Sequence, residues 1–72
     1  MRRRYERVQA RPDVEVFEGK WYPLVKYMSG QAMVGWRPFP EQNCATREEA
    51  AKLAVKLAAM LNADPRRLPQ IP

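Results

Sequence analysis

The sequence contains no histidine, so imidazole ligands, imidazole bases and Ser-His or Cys-His catalysis are absent. A single cysteine, Cys44, excludes an internal disulfide, and a small core without such a staple points to a reducing compartment. Three glycines are too few for a phosphate-cradling loop, and one cysteine is too few for a zinc motif. No apolar run approaches the roughly 18 residues of a membrane span, and Arg2 to Arg4 are not followed by the apolar stretch of a signal peptide. These absences lead to the expectation of a cytoplasmic protein with neither a cofactor nor a metal. The carboxylates Asp13, Glu15, Glu18, Glu48, Glu49 and Asp64 show no spacing of an acid/base pair or metal site, and an enzyme is not expected.

What is present is 72 residues, room for one domain with a small core. There are 13 Lys and Arg against 8 Asp and Glu, a net charge of +5. That charge is unevenly placed. Residues 1–11 hold five Arg and one Glu, and residues 66–72 hold Arg66 and Arg67, so the two flanks together carry +6. Residues 12–65 hold six cations and seven acids, leaving −1. The basicity belongs to the ends, which favours a polyanionic or acidic partner.

Between Asp13 and Arg37, three runs of Val, aromatic and other apolar residues are separated by Gly19-Lys20 and Ser29-Gly30, the pattern of an antiparallel meander. Strands are expected near 13–18, 21–28 and 31–37. Taking both dipeptides as two-residue turns, one face collects Val14, Val16, Trp21, Val25, Tyr27, Ala32, Val34 and Trp36, the expected core side. The other face presents Phe17, Tyr22, Leu24, Met28 and Met33 with Glu15, Lys26, Gln31 and Arg37. Pro23 lacks the N–H that a central strand uses, so either the ladder starts at Leu24 or a bulge lies there.

Thr46 followed by Glu49 predicts a capping box, and Ala50, Leu53, Ala54, Leu57, Met60 and Leu61 form a stripe at helical spacing up to Asn62-Ala63-Asp64-Pro65. The expectation is an α+β fold, a three-stranded antiparallel meander packed against one C-terminal helix, in a single domain. Its parts are a basic arm over 1–12, the sheet over 13–37, the helix over 46–62 and an extended tail over 63–72.

A lone helix covers one side of such a sheet, and five large apolar residues on the other side are many for a solvated surface. That face reads either as a contact platform or as a surface covered by Val8, Leu68 or Ile71 folding back. Arg2, Arg3, Arg4 and Arg7 are the natural phosphate contacts, with Arg66 and Arg67 extending the footprint.

Gly19-Lys20-Trp21-Tyr22, Tyr27, Ser29-Gly30, Phe39 and Thr46-Arg47-Glu48-Glu49-Ala50 together resemble the arm-type DNA-binding domains at the amino end of tyrosine recombinases (phage integrases). The resemblance spans about residues 13 to 62 and implies a three-strand-plus-helix fold whose open sheet face enters the major groove. It implies groove contacts at Tyr22, Lys26, Gln31 and Arg37. Phe17, Leu24, Met28, Met33 and Glu15 on that face, and the longer spacing from Phe39 to Thr46, depart from the family pattern, and no recombinase catalytic domain is present.

Two functions follow as expectations. The first is a non-catalytic nucleic-acid-binding module, for DNA first, related to phages or mobile elements. The second is a small regulator of the phage-encoded type, docking on a host factor through Phe17, Tyr22, Leu24, Met28 and Met33. A homodimer burying two open faces is a further partner arrangement.

Overall fold

The computed structural model describes residues 8–69. Three strands, β1 (Val8–Phe17), β2 (Lys20–Ser29) and β3 (Ala32–Pro38), form an antiparallel sheet in the order β1-β2-β3. They are followed by helix α1 (Arg47–Ala63) and a short 3-10 turn, Pro65–Arg67. This is the expected βββα arrangement.

The helix begins where its capping chemistry requires. The Thr46 hydroxyl accepts from the Glu49 N–H at 3.2 Å, and the Glu49 carboxylate accepts from the Thr46 and Ala45 N–H groups at 3.2 and 3.1 Å. Ala50, Ala54 and Ala58, one turn apart, are buried, so the helix backbone lies close to the sheet. It packs against β1 and β2 and makes no contact with β3. The core is Val8, Ala10, Val25, Tyr27, Phe39, Ala58, Leu61 and Leu68, flanked by Leu57.

Four expectations are corrected here. The first strand starts at Val8, so residues 8–12, expected in the arm, are strand. The tail expected over 63–72 is not wholly extended, because α1 runs to Ala63, the 3-10 turn follows, and Leu68 packs into the core. Both turns sit one position away from the expected dipeptides. Phe17 pairs with Lys20 around Glu18-Gly19, where φ is +50° and +77°, the signature of a type I′ turn; Ser29 pairs with Ala32 around Gly30-Gln31, with Gly30 at +62°. A glutamate at positive φ is unusual, which is why the sequence favours Gly19-Lys20 for the turn.

The fourth correction concerns faces. Moving each turn by one residue changes no face, since each paired sum shifts by two. In β3, however, Met33 pairs with Met28 while Gly35 pairs with Tyr27, which leaves Val34 as the extra residue of a β-bulge. Beyond it every side chain changes sides. Trp36 therefore pairs with Lys26 on the open face, and Arg37 pairs with Val25 on the helix side.

The two prolines inside strands, Pro12 and Pro23, fit once backbone direction is known. Trp21 and Cys44 exchange two backbone hydrogen bonds, 3.0 and 2.7 Å, and the Phe39 N–H donates to the Pro23 carbonyl at 3.3 Å. Odd-numbered β2 residues thus address β3, whose pairing with β2 begins only at Leu24 and Pro38. The N–H that Pro23 lacks would have faced a strand that has already ended, while pairing with β1 runs through Val14 without a break.

On β1, the Ala10 N–H donates to the Asn62 carboxamide oxygen at 2.8 Å, and the Asn62 amide donates to the Ala10 carbonyl at 2.9 Å. Ala10, and by alternation Pro12 and Val14, hence turn their backbone groups outward. Asn62 serves as a strand partner, Pro12 has no donor to offer, and the Val14 N–H donates to Asp13 Oδ1 at 2.8 Å. Three successive outward positions of this edge are blunted.

Candidate nucleic-acid interface

The open face consists of cross-strand rows. Gln9, Met28 and Met33 form one row; Arg11, Lys26 and Trp36 form the next; then come Asp13, Leu24 and Pro38; Glu15 with Tyr22; and Phe17 with Lys20 at the first turn. Directly opposed side chains on one face have Cβ atoms about 4.5–5.5 Å apart, so Arg11, Lys26 and Trp36 form a contiguous transverse band. Trp36 is 62% exposed and lies beside Lys26, with Arg11 on the far side of that lysine.

Of the apolar residues expected on this face, Phe17 is 65% and Met33 52% exposed, whereas Leu24, on the central strand, is only 9% exposed. Tyr22 and Met28 are half-buried. Val8 and Leu68 do not cover the face, because both lie in the core beneath the helix. Ile71 lies outside the described residues.

Lys26 is not a free cation. Its Nζ lies 2.9 Å from Asp13 Oδ2. That hydrogen bond, then the Val14 N–H on the other carboxylate oxygen, holds the Asp13 carboxyl below its ordinary value against a smaller opposing effect of burial. The carboxylate locks Lys26 onto the sheet and competes with any phosphate for it.

The expected contacts do not all share a surface. Tyr22 and Lys26 lie on the open face. Gln31 is exposed in the second turn, and Arg37 lies on the opposite side, its guanidinium 4.9 Å from the centre of the Phe39 ring. Arg66 and Arg67 are exposed in the 3-10 turn, with Arg66 Nε 3.4 Å from Asp64 Oδ1. Arg2, Arg3, Arg4 and Arg7 lie outside the described residues.

A polarity along the molecule nevertheless joins several of them. Val8 pairs with Ser29, and Asn62 binds Ala10, so the start of β1, the second turn and the carboxyl end of α1 lie at one end with Arg11, Arg66 and Arg67. The opposite end holds the first turn and the helix start, where Glu15, Glu18, Glu48 and Glu49 outnumber Lys20 and Arg47. The described chain begins at the basic end, at Val8.

Sequence reasoning misses Arg11 and Trp36 as site residues. Arg11 reads as part of the arm, and Trp36 reads as core. The available signal is Gly35, since an isolated glycine inside a strand pattern marks a bulge.

Cys44 is half-buried, bridged through its backbone to Trp21, with its thiol 3.6 Å from the Gln42 carbonyl. Among the described residues no cluster of His, Cys, Asp and Glu is placed to hold a metal ion, and no helix is long and apolar enough to cross a membrane. Comparison with protein-family models, curated proteins and solved structures finds no match.

Proposed function

We propose that the protein is a non-catalytic nucleic-acid-binding module of the phage or mobile-element kind, acting in the cytoplasm on DNA. The observation that carries this reading is the Arg11-Lys26-Trp36 band, which offers an aromatic face and two cations on a rigid sheet at the basic end. A base stacks on the indole, phosphates meet Arg11 and Lys26, and Arg2, Arg3, Arg4, Arg7, Arg66 and Arg67 extend the electrostatic footprint. On this reading recognition uses one half of the open face; Tyr22 stands beside Glu15 in the less favourable half, Gln31 in the second turn is a flanking contact, and Arg37, on the helix side, takes no part.

The test is fluorescence anisotropy of labelled duplex and single-stranded DNA against the full chain over a salt series. Replacing Trp36 by Ala should weaken single-strand binding by about tenfold, from a stacking contribution of about 1–3 kcal/mol. Replacing Arg2, Arg3 and Arg4 should flatten the slope of log affinity against log salt by up to about 0.9 per lost phosphate contact. Binding that ignores salt, or no binding to either form, overturns the proposal.

The exposure of Phe17 and Met33 supports a second reading, docking on an acidic-rimmed host protein through the apolar part of the same face. Met33→Asp separates the two. It abolishes protein docking and leaves the tail-driven part of DNA affinity intact.

A further inference from the structure

Three aromatic side chains stand on the open face, and the strand register puts them on one diagonal. Trp36 of β3 pairs with Lys26, Tyr22 of β2 with Glu15, and Phe17 of β1 with Lys20. Lys20, Tyr22 and Lys26 alternate along β2, so they and the residues opposite them share a face. Trp36, Tyr22 and Phe17 therefore sit level with β2 positions 26, 22 and 20 while stepping across the sheet one strand at a time. At about 3.3 Å per residue and about 4.8 Å between strands, Trp36 lies about 14 Å from Tyr22, and Tyr22 about 8 Å from Phe17, between Cα atoms. The two end rings are the most exposed, and Tyr22 is half-buried. In the longer gap lie the paired Leu24 and Pro38, with Leu24 nearly level with the sheet, a low apolar floor between two standing rings.

We propose that this diagonal is a track for single-stranded DNA. A nucleotide advances about 3.4 Å in a stacked strand and roughly twice that when the backbone is drawn out and its bases are splayed. The shorter gap then fits one extended step and the longer gap two. About four nucleotides span the track, with bases on Trp36, on the Leu24-Pro38 floor, on Tyr22 and on Phe17. A duplex cannot use these rings in the same way, because its base faces are stacked on one another and only base edges show in its grooves. A cation stands beside each end ring for the phosphates: Lys20 opposite Phe17, and Lys26 opposite Trp36 with Arg11 beyond it. The acids of this face, Asp13 and Glu15, both lie on β1 off the diagonal, and Asp13 is engaged by Lys26. The inference rests on the nucleic-acid reading above and extends its path past the basic half to the first turn, with Tyr22, beside Glu15, as the weakest step.

The test is fluorescence anisotropy of the full chain with a labelled single strand of about 16 nucleotides and with the duplex it forms with its complement. The single strand should bind at least about tenfold more tightly, although the duplex has the higher charge density. Phe17→Ala and Tyr22→Ala should each weaken single-strand binding at least about fivefold while circular dichroism remains native. Neither should change the slope of log affinity against log salt, because a lost stacking contact releases no phosphate, and Tyr22→Phe should bind as the wild type does. Single-strand binding that survives the loss of both Phe17 and Tyr22, or a duplex that binds as tightly as its single strand, overturns the track and leaves the nucleic-acid reading standing. Absence of binding to either form overturns both.

Discussion

Asn62 ties the end of the helix to the edge of the sheet, and its removal has a calculable effect. Two hydrogen bonds at 2.8 and 2.9 Å join its carboxamide to both backbone groups of Ala10. At about 0.5–1.5 kcal/mol net each, the pair contributes about 1–3 kcal/mol, toward the lower figure because the site is only partly buried and water can replace the side chain. Asn62→Ala should therefore cost about 1–1.5 kcal/mol. For a domain of this size that is a fall in Tm of roughly 4–10 °C, read by circular dichroism. Asn62→Asp makes the sharper test. An ionised carboxylate still accepts from the Ala10 N–H, but it sets a second oxygen against the Ala10 carbonyl near the negative end of the helix dipole. At neutral pH this variant should be less stable than Asn62→Ala. Its carboxyl pKa is raised in the folded state, so the deficit shrinks as pH falls and the protonated form can donate again. Loss of less than about 0.3 kcal/mol in Asn62→Ala, with the two variants indistinguishable at every pH, would refute a strand-pairing role for this side chain.

Two other substitutions probe separate parts of the structure. Glu18 holds a left-handed backbone at φ +50°, so Glu18→Asn, which completes an Asn-Gly type I′ turn, should stabilise the chain by about 0.5–1 kcal/mol in denaturant titration; a destabilised variant would contradict the turn assignment. Asp13 has a lowered folded-state pKa, so its ion pair with Lys26 contributes stability that is complete above the unfolded value near pH 4 and is lost as pH falls through the lower folded value. Asp13→Asn should flatten acid unfolding in that window and, by releasing Lys26, strengthen DNA binding; an unchanged acid limb would count against the pair.

The legible and illegible parts of this sequence divide by how local their causes are. Thr46 and Glu49 act within one helix, and the capping box is readable directly; of the expected stripe Ala50, Ala54 and Leu61 are buried and Leu53 and Leu57 half-buried, whereas Met60 is 59% exposed and Ala58, outside that stripe, is buried. The three strands and their order follow from apolar runs and glycine positions. The bulge at Val34 is not readable from the turn residues, because it arises where β3 meets Tyr27 and Met28 of β2; the adjacent Gly35 is its one local trace. That single extra residue decides whether Trp36 is core or surface. Asn62 reads as a helix-stop residue, since its partner Ala10 lies 52 positions away and no local pattern reports it.

The off-centre seat of the helix divides the labour within the chain. β1, β2 and α1 supply the buried contacts, while β3 is held by its hydrogen bonds to one neighbour and little else. Substitutions along β3 therefore alter what the molecule touches far more than whether it folds, and this seven-residue strand is where new binding preferences can be acquired without cost to the architecture.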